Sequence, residues 1–268
     1  MTLTDLEQGK ILVVDKPYGW TSFQVVNKIK WQIKRDLGVK KFEIGHAGTL
    51  DPLATGVLLV CVGKATKMIE QLQTGEKTYS GTIVLGATTP CYDLEQAIDK
   101  LHPYQHITLD TLQQSVQELT GTIPQVPPMF SAIKVAGDRA YSYARNGEPV
   151  EIAPKMVTIH QFDITSFRPG TPADEETLRR ECGLDQPSRD DAPTRELYRS
   201  PQGKVPPQLP QMDFKIRCSK GTYIRSIARD LGLMLGSGGF LCALRREQVG
   251  DYTLDSAIAI RSNEPVML

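Results

Sequence analysis

No Cys-x-x-Cys pair occurs in this sequence, although it holds five cysteines: Cys61, Cys91, Cys182, Cys218 and Cys242. An odd set without metal spacing argues against a disulfide framework or a zinc site and suggests a reducing cytosol. No apolar run approaches membrane-spanning length. The first residues, Met-Thr-Leu-Thr-Asp-Leu-Glu-Gln, lack the basic start and apolar core of a secretory leader. Net charge is absent too: 31 Lys/Arg balance 31 Asp/Glu, so a nucleic-acid signal would have to be local. No His-Glu-x-x-His, Gly-x-Ser-x-Gly or dinucleotide fingerprint is present. Gly63-Lys64-Ala65-Thr66 looks like the end of a phosphate-binding loop, but Leu58 stands where that motif needs glycine. His46, His102, His106 and His160 are not spaced as metal ligands. No metal and no cofactor are expected, so chemistry must rest on side chains such as Asp, Tyr, Lys and Arg. What is left is ordinary: 268 residues, 40% hydrophobic and 23% charged, as expected of a soluble cytoplasmic protein.

One stretch stands out. Gly45-His46-Ala47-Gly48-Thr49-Leu50-Asp51-Pro52-Leu53-Ala54-Thr55-Gly56 is polar and turn-forming, and an apolar run from Val57 to Val62 follows it. Gly45, Gly48 and Gly56 allow tight bends or close approach. Pro52 keeps Asp51 out of the right-handed helical region and fixes the next φ. Val57–Val62 has the length and branching of a buried strand. A carboxylate on a stiff loop docked to a core strand is a plausible place for chemistry. An Asp-Pro pair is equally what a turn or a helix cap uses, and His46 is equally a surface histidine, so these residues alone do not decide.

The rest of the chain alternates elements. Residues 9–15 read as a strand, and Thr21 or Ser22 caps a helix with Phe23, Val26, Ile29 and Ile33 on one stripe. Tyr79, Gly81, Ile83 and Leu85 alternate as in a strand. Residues 88–104 are polar and acidic, expected as a loop or small excursion. Thr108 caps a helix bearing Leu109, Leu112, Val116 and Leu119, stopped by Gly121. Pro124 to Pro128 is expected to break regular structure; Phe130 to Val135 reads as a short strand and Arg139 to Arg145 as one or two helical turns. Met156 to Phe167 is a strand with an imperfect period, as a bulge gives. Residues 168–211 hold eight prolines, seven basic and eight acidic residues and almost no branched aliphatics. That stretch is expected to be a flexible insertion with a short helix near Glu175–Glu181. Asp213 to Cys218 alternates strictly, and Ile224, Ile227, Ala228, Leu231 and Leu235 form a helix stripe. The last twenty residues read as a weak helix and a tail. Charge is local: residues 1–67 carry ten Lys/Arg against six Asp/Glu, and residues 215–246 carry seven against one. Each cluster is either a solvated face or an RNA surface.

Taken together, several segments resemble the TruB family of tRNA pseudouridine synthases. The family's nucleophile segment is matched by Gly45 to Gly56, and its Lys-Pro-x-Gly-x-Thr-Ser motif by Lys16 to Ser22. Its strand tyrosine is matched by Tyr79, its Pro-Pro-x-x-Ser-Ala-x-Lys segment by Pro127 to Lys134, its Cys-Ser-Lys-Gly-Thr-Tyr-Ile-Arg-Ser motif by Cys218 to Ser226, and its Leu-Arg-Arg element by Leu244-Arg245-Arg246. The resemblance covers roughly residues 9–165 and 212–255. One departure is local. Thr89-Pro90-Cys91-Tyr92-Asp93 replaces the family's Thr-Asp-Thr-x-Asp, so Pro90 takes the place of an acid that helps hold the flipped RNA, and Asp93 is the surviving acid. The Pro-rich insertion is a second departure, and a third is that no separate C-terminal RNA-binding domain, of the kind many bacterial members carry, is expected here.

The resemblance implies an α+β pseudouridine synthase fold with a mixed, mostly antiparallel central sheet. It implies a catalytic domain over 1–255, interrupted by 168–211, with 256–268 as a tail. The implied activity is isomerisation of uridine-55 in the tRNA T loop, by base flipping, cleavage of the C1′–N1 bond and rejoining through C5. Asp51 is implied as the essential carboxylate; attack at C1′, attack at C6 and abstraction of the C2′ proton all stay open. Arg225 is implied to pair with Asp51. Tyr79 stacks on the flipped uracil and helps remove the C5 proton, Tyr223 lies beside the base and Leu244 is an apolar wall. His46 fills the gap the base leaves. Lys16 and Lys67 support the site and the RNA backbone. Residues 124–147 resemble the family's loop that closes over the T-arm. The implied partner is tRNA, through its T-arm, with a monomer needing no protein partner and no membrane. The alternative in another class is a tRNA-folding chaperone with incidental catalysis.

Overall fold

Thr55–Val62 is a strand buried at every position but its first. The computed structural model to which it belongs describes residues 1–131, 133–135, 138–139, 151–184, 205–261 and 264–266. The chain divides into two units, Met1–Ser80 with Leu244–Leu268, and Gly81–Ala243. Within the first, Lys10–Lys16 pairs antiparallel with Thr55–Val62 over its whole length, Val13 opposite Leu59 and Asp15 opposite Val57. The other edge of Thr55–Val62 is shared. Ile44–His46 runs antiparallel to it, His46 opposite Val60, and the end of strand Gly239–Val249 runs parallel, Arg246 opposite Gly56. Val13, Ala47, Val57, Leu59 and Val249 form the apolar cluster beneath. Near the C-terminus the expected helix is instead a short strand, Ile258–Ala259, lying parallel to Val14 and Asp15. Too short to nucleate a helix, this β-branched segment satisfies its backbone on an available sheet edge and buries Ile260.

Helix Ser22–Leu37 starts at Thr21, whose hydroxyl accepts from Gln24 N–H at 3.1 Å, while Gln24 Oε1 accepts from Thr21 N–H at 2.7 Å. This reciprocal cap satisfies two donors that the first turn leaves open. Gly38, at φ 64°, ends the helix in the left-handed region. Its inner face is Val25, Val26, Ile29 and Ile33; the expected Phe23 points outward instead. Burying each such aliphatic contributes about 1.5–3 kcal/mol.

In the second unit, Gln211–Cys218 shows the strict alternation read from its sequence, burying Met212, Phe214, Ile216 and Cys218. It pairs antiparallel with Lys155–Arg168, whose register shifts at Ile159/Gln161 and Ile164/Ser166 are the expected bulging. Phe162 and Phe214 meet edge-to-face at 5.9 Å. Gly121–Gln125 flanks Lys155–Ile159 and contains Pro124, opposite Met156. Proline does not break this strand because it lies at the edge of the sheet, where a ladder donor can be spared. Helix Ile224–Met234 buries the expected stripe, and helix Leu109–Glu118 buries Leu112 and Val116 and is followed by buried Leu119, but the expected Leu109, in its first turn, is exposed. Residues 88–104 are no loose loop: Ala87–Thr88 pairs with Lys100–Leu101, and Cys91, Asp93, Leu94 and Ile98 are buried.

The insertion leaves and re-enters through the register pair Arg168 and Gln211. Helix Glu175–Glu181 forms where expected, capped by Asp174. The described ends of the insertion carry anchors that composition understates. Leu178 and Leu209 are buried, and the Tyr104 hydroxyl donates to Thr171 C=O at 2.8 Å. Residues 185–204 lie outside the described residues, as does most of the expected helical turn Arg139 to Arg145. Antiparallel pairings dominate a mixed sheet with helices packed on it, the expected α+β class. Among the described residues no helix is long and apolar enough to cross a membrane, and no group of His, Cys, Asp and Glu could hold a metal.

Candidate active site

Asp51 sits half-buried on a loop held from three directions. Lys16, fully buried, directs its ammonium at the carbonyls of Pro17 (3.0 Å), Trp20 (2.5 Å) and Pro52 (3.0 Å). Three donors meet three carbonyls, one of them on the residue after Asp51. Gly19 N–H donates to that same Pro52 carbonyl at 2.9 Å. Ser22 holds the residue before Asp51: its hydroxyl accepts from Leu50 N–H at 3.0 Å and donates to Leu50 C=O at 3.3 Å. Arg246, only 1% exposed, supplies the third support. Its Nε donates to Val57 C=O at 2.7 Å and its two terminal nitrogens to Thr49 C=O at 3.4 Å and Gly48 C=O at 3.0 Å. The Asp51 backbone is thereby fixed before any substrate arrives, which is what preorganised chemistry requires.

Other expected site residues of the first unit are placed as follows. Tyr79 is buried on strand Lys77–Leu85. That strand is pinned at its start by Lys77 Nζ, which donates to Gln73 and Gly75 carbonyls, and by Ser80 Oγ, which donates to Glu247 at 2.5 Å. Leu244 is half-buried on Gly239–Val249. His46 ends strand Ile44–His46, with its Nδ1 buried and without a hydrogen-bond partner among the described residues. Desolvation, and then the charge of Arg246, hold its imidazole below the usual pKa of 6.5, so the ring favours the neutral form. Lys67 is exposed on the short helix Gly63–Met68.

In the second unit, Tyr223 precedes helix Ile224–Met234, and both of its backbone groups are taken by Gln125: Tyr223 N–H donates to Oε1 at 2.8 Å, and Gln125 Nε2 donates to Tyr223 C=O at 3.2 Å. Arg225 is buried. Its Nε lies 3.6 Å from Asp93 Oδ2, and its terminal nitrogens donate to Cys91 C=O at 3.1 Å and Phe130 C=O at 2.8 Å. Asp93 is itself buried, accepting from Glu95 N–H at 2.9 Å and from the Cys91 thiol at 3.0 Å. Burial first, and then the Asp93 charge, push the Cys91 thiol up to about 12, so it stays a donor at neutral pH. Asp93, read from sequence as an acid left over for RNA, is thus engaged internally with Arg225.

The basic cluster at 215–246 presents less outward charge than its sequence suggests. Arg225 and Arg246 are buried, Arg245 grips Asp15 through both carboxylate oxygens at 3.1 and 2.8 Å, and Arg229 lies over Tyr92 while bonding Asp230. Lys215 and Lys220 are exposed. The roles of Ser22 and Arg246 were missed in the sequence because nothing in linear spacing links residue 246 to residue 48. The one available signal was that both fall inside family-like motifs.

The family model for TruB family pseudouridylate synthase, N-terminal domain, matches residues 34–184. A tRNA pseudouridine synthase B of Flavobacterium johnsoniae is 44% identical over 97% of this chain and 96% of its own length. One from Phocaeicola vulgatus is 43% identical over 96% of this chain and 93% of its own. Among solved structures, a Cbf5–Nop10–Gar1 complex aligns with TM-score 0.60 at 23% identity over 96% of this chain, and an H/ACA RNP bound to a substrate RNA with TM-score 0.55 at 21% identity. This chain spans about half of each of those solved chains, 54% and 52%, and the likeness carries the fold alone. With more than half of its residues under one family model and two near-full-length relatives above 40% identity, this chain belongs to the TruB family.

Proposed function

We propose that this chain isomerises uridine to pseudouridine in tRNA, acting on uridine-55 of the T loop with Asp51 as the essential carboxylate. The observation that carries the reading is the Asp51 loop: it is clamped by Lys16, Ser22 and Arg246. It does so in a chain 44% identical to a tRNA pseudouridine synthase B. The reaction breaks C1′–N1 and forms C1′–C5; a proton leaves C5 and N1 gains one, so atoms balance without a cofactor. A stacked loop nucleotide must first be flipped, at a cost of a few kcal/mol. In this reading His46, a flat ring favouring the neutral form, fills the gap, Tyr79 stacks on the uracil and helps take the C5 proton, and Tyr223 and Leu244 bound the pocket. Arg225 is the cationic partner of Asp51, the pairing expected from the resemblance. Lys67 meets the RNA backbone, and Lys16 supports the loop. The chain works as a cytoplasmic monomer on the T-arm with no protein partner.

The test is pseudouridine mapping of a tRNA transcript after incubation with the purified protein. Wild type should convert the T-loop uridine. Asp51→Asn should convert none while binding tRNA within a few-fold of wild type. Appreciable conversion by Asp51→Asn would sink the mechanism, and a deletion strain fully rescued by Asp51→Asn would favour an RNA-folding role instead.

A further inference from the structure

Helix Ser22–Leu37 begins at the Asp51 loop, since its first residue holds Leu50. Its 16 residues extend about 24 Å from there at roughly 1.5 Å each. The inner face is aliphatic and buried. The outer face carries Phe23, Asn27, Lys30, Trp31, Lys34 and Arg35. Phe23 is 67% and Trp31 60% exposed, unusual for large aromatics on a face the fold does not cover. The Arg35 guanidinium lies 4.8 Å over the Trp31 ring. Exposed Lys40 and Lys41 continue the positive charge beyond Gly38. The acid nearby, Asp36, is bonded by Gln32 at 2.6 Å and Arg35 at 3.2 Å.

We propose that this outer face is an RNA-docking surface for unpaired nucleotides flanking the reacting uridine, an inference that rests on the tRNA-modifying reading above. Phe23 and Trp31 offer faces on which bases stack, and Lys30, Lys34 and Arg35 meet the phosphates between them. Eight residues of helix separate the two rings by about 12 Å along the axis. That is several times the roughly 3.4 Å rise of a stacked strand, so the rings suit separate, splayed bases rather than one continuous stack. A protein partner fits less well, because lysine is depleted at protein interfaces and here it alternates with the aromatics. The start of the helix at the Asp51 loop makes the face continuous with the place where the substrate must lie.

Two variants test it: Phe23→Ala with Trp31→Ala, and Lys30→Gln with Lys34→Gln and Arg35→Gln. Equilibrium binding to a tRNA transcript is measured for each across a salt series, beside pseudouridine formation. The aromatic variant should bind tRNA about tenfold or more weakly, since each stacked base is worth roughly 1–3 kcal/mol. The charge variant should flatten the slope of log affinity against log salt by about 2, as expected for three lost phosphate contacts. The charge variant keeps the test decisive should the aromatic one fold poorly. Unchanged binding and slope in both, with wild type converting uridine, overturns the proposal. So does a wild type that self-associates through this face, with Phe23→Ala/Trp31→Ala becoming monomeric and binding RNA as before. A wild type that shows both losses on substitution yet converts no uridine supports the docking surface and sinks the isomerase reading instead.

Discussion

Arg246 donates to the carbonyl of Gly48 at 3.0 Å, joining a strand near the end of the chain to the loop that carries Asp51. With Thr49 and Val57 it serves three carbonyls at once from a buried position. A guanidinium can do this because its donors form a rigid planar fork; an ammonium cannot reach the same three points. Arg246→Met keeps the apolar stem and removes every donor, leaving buried acceptors unsatisfied at about 1–3 kcal/mol each. We expect Arg246→Met to lose about 3 kcal/mol or more in urea denaturation. We also expect turnover to fall more than tRNA binding, because the loop is no longer held. Arg246→Lys should fall between. Wild-type stability in Arg246→Met would show that the loop holds itself.

Arg225 and Asp93 form a buried ion pair in the second unit. Removing one member strands the other charge, which costs about 3–5 kcal/mol in buried pairs. Asp93→Asn retains the shape and can still accept from the Cys91 thiol and Glu95 N–H, so it should be milder than Asp93→Ala. Arg225→Ala should lower turnover strongly as well as stability. A double-mutant cycle with Arg225→Met and Asp93→Leu should recover part of the summed loss, a coupling of about 1 kcal/mol or more. Strict additivity would mean the two residues act independently.

Much of this fold was legible because burial follows period. Gln211–Cys218 alternates in sequence and in burial, and Ile224 to Leu235 keeps a helical stripe in both. The errors have local causes. Phe23 fits the stripe of its helix by spacing, yet Val25 fills the core position and the ring faces out. Pro124 reads as a breaker, yet an edge strand tolerates it. Residues 88–104 read as a loop or small excursion; the excursion forms, but the burial of Asp93, which Arg225 meets from 132 positions away, has no local signal. The motif residues Asp51, His46 and Tyr79 were visible through resemblance. Of the supports beneath them, Lys16 was named through the same resemblance, but Ser22 and Arg246 were not, since they act on backbone carbonyls and amides, which carry no sequence signature.

His46 provides a pH test. Its imidazole is held below 6.5 mainly by desolvation and then by Arg246. A histidine with a depressed folded pKa binds fewer protons when folded than when unfolded, so stability rises with pH across that window. Its contribution is complete above about 6.5 and is lost as pH falls through the lowered folded value. The thermal midpoint of wild type should therefore drop between pH 7.5 and 5.5. The same drop in His46→Phe, which keeps a flat ring without a proton site, should be shallower. Equal slopes in the two proteins would assign the acid sensitivity elsewhere.

Gly56 is where strand and clamp come closest. A Cβ there would lie 2.2 Å from the Arg246 carbonyl oxygen and 2.8 Å from its nitrogen, and the backbone φ is +102°. Both neighbouring atoms are backbone, so no side chain can swing aside, and the left-handed φ is itself costly for any other residue. Gly56→Ala should push strand Gly239–Val249 off Thr55–Val62, carrying the Arg246 fork away from Gly48. We expect a thermal midpoint lower by about 10 °C, as roughly 3 kcal/mol gives in a chain of this size, with turnover falling in parallel. Gly38→Asn is the control. It has a similar left-handed φ of +64° with nothing within 4 Å of a Cβ, and asparagine tolerates that region, so its midpoint should move by less than about 3 °C. If Gly56→Ala behaved like the control, the parallel pairing of Arg246 with Gly56 would not be what seats the guanidinium against the Asp51 loop.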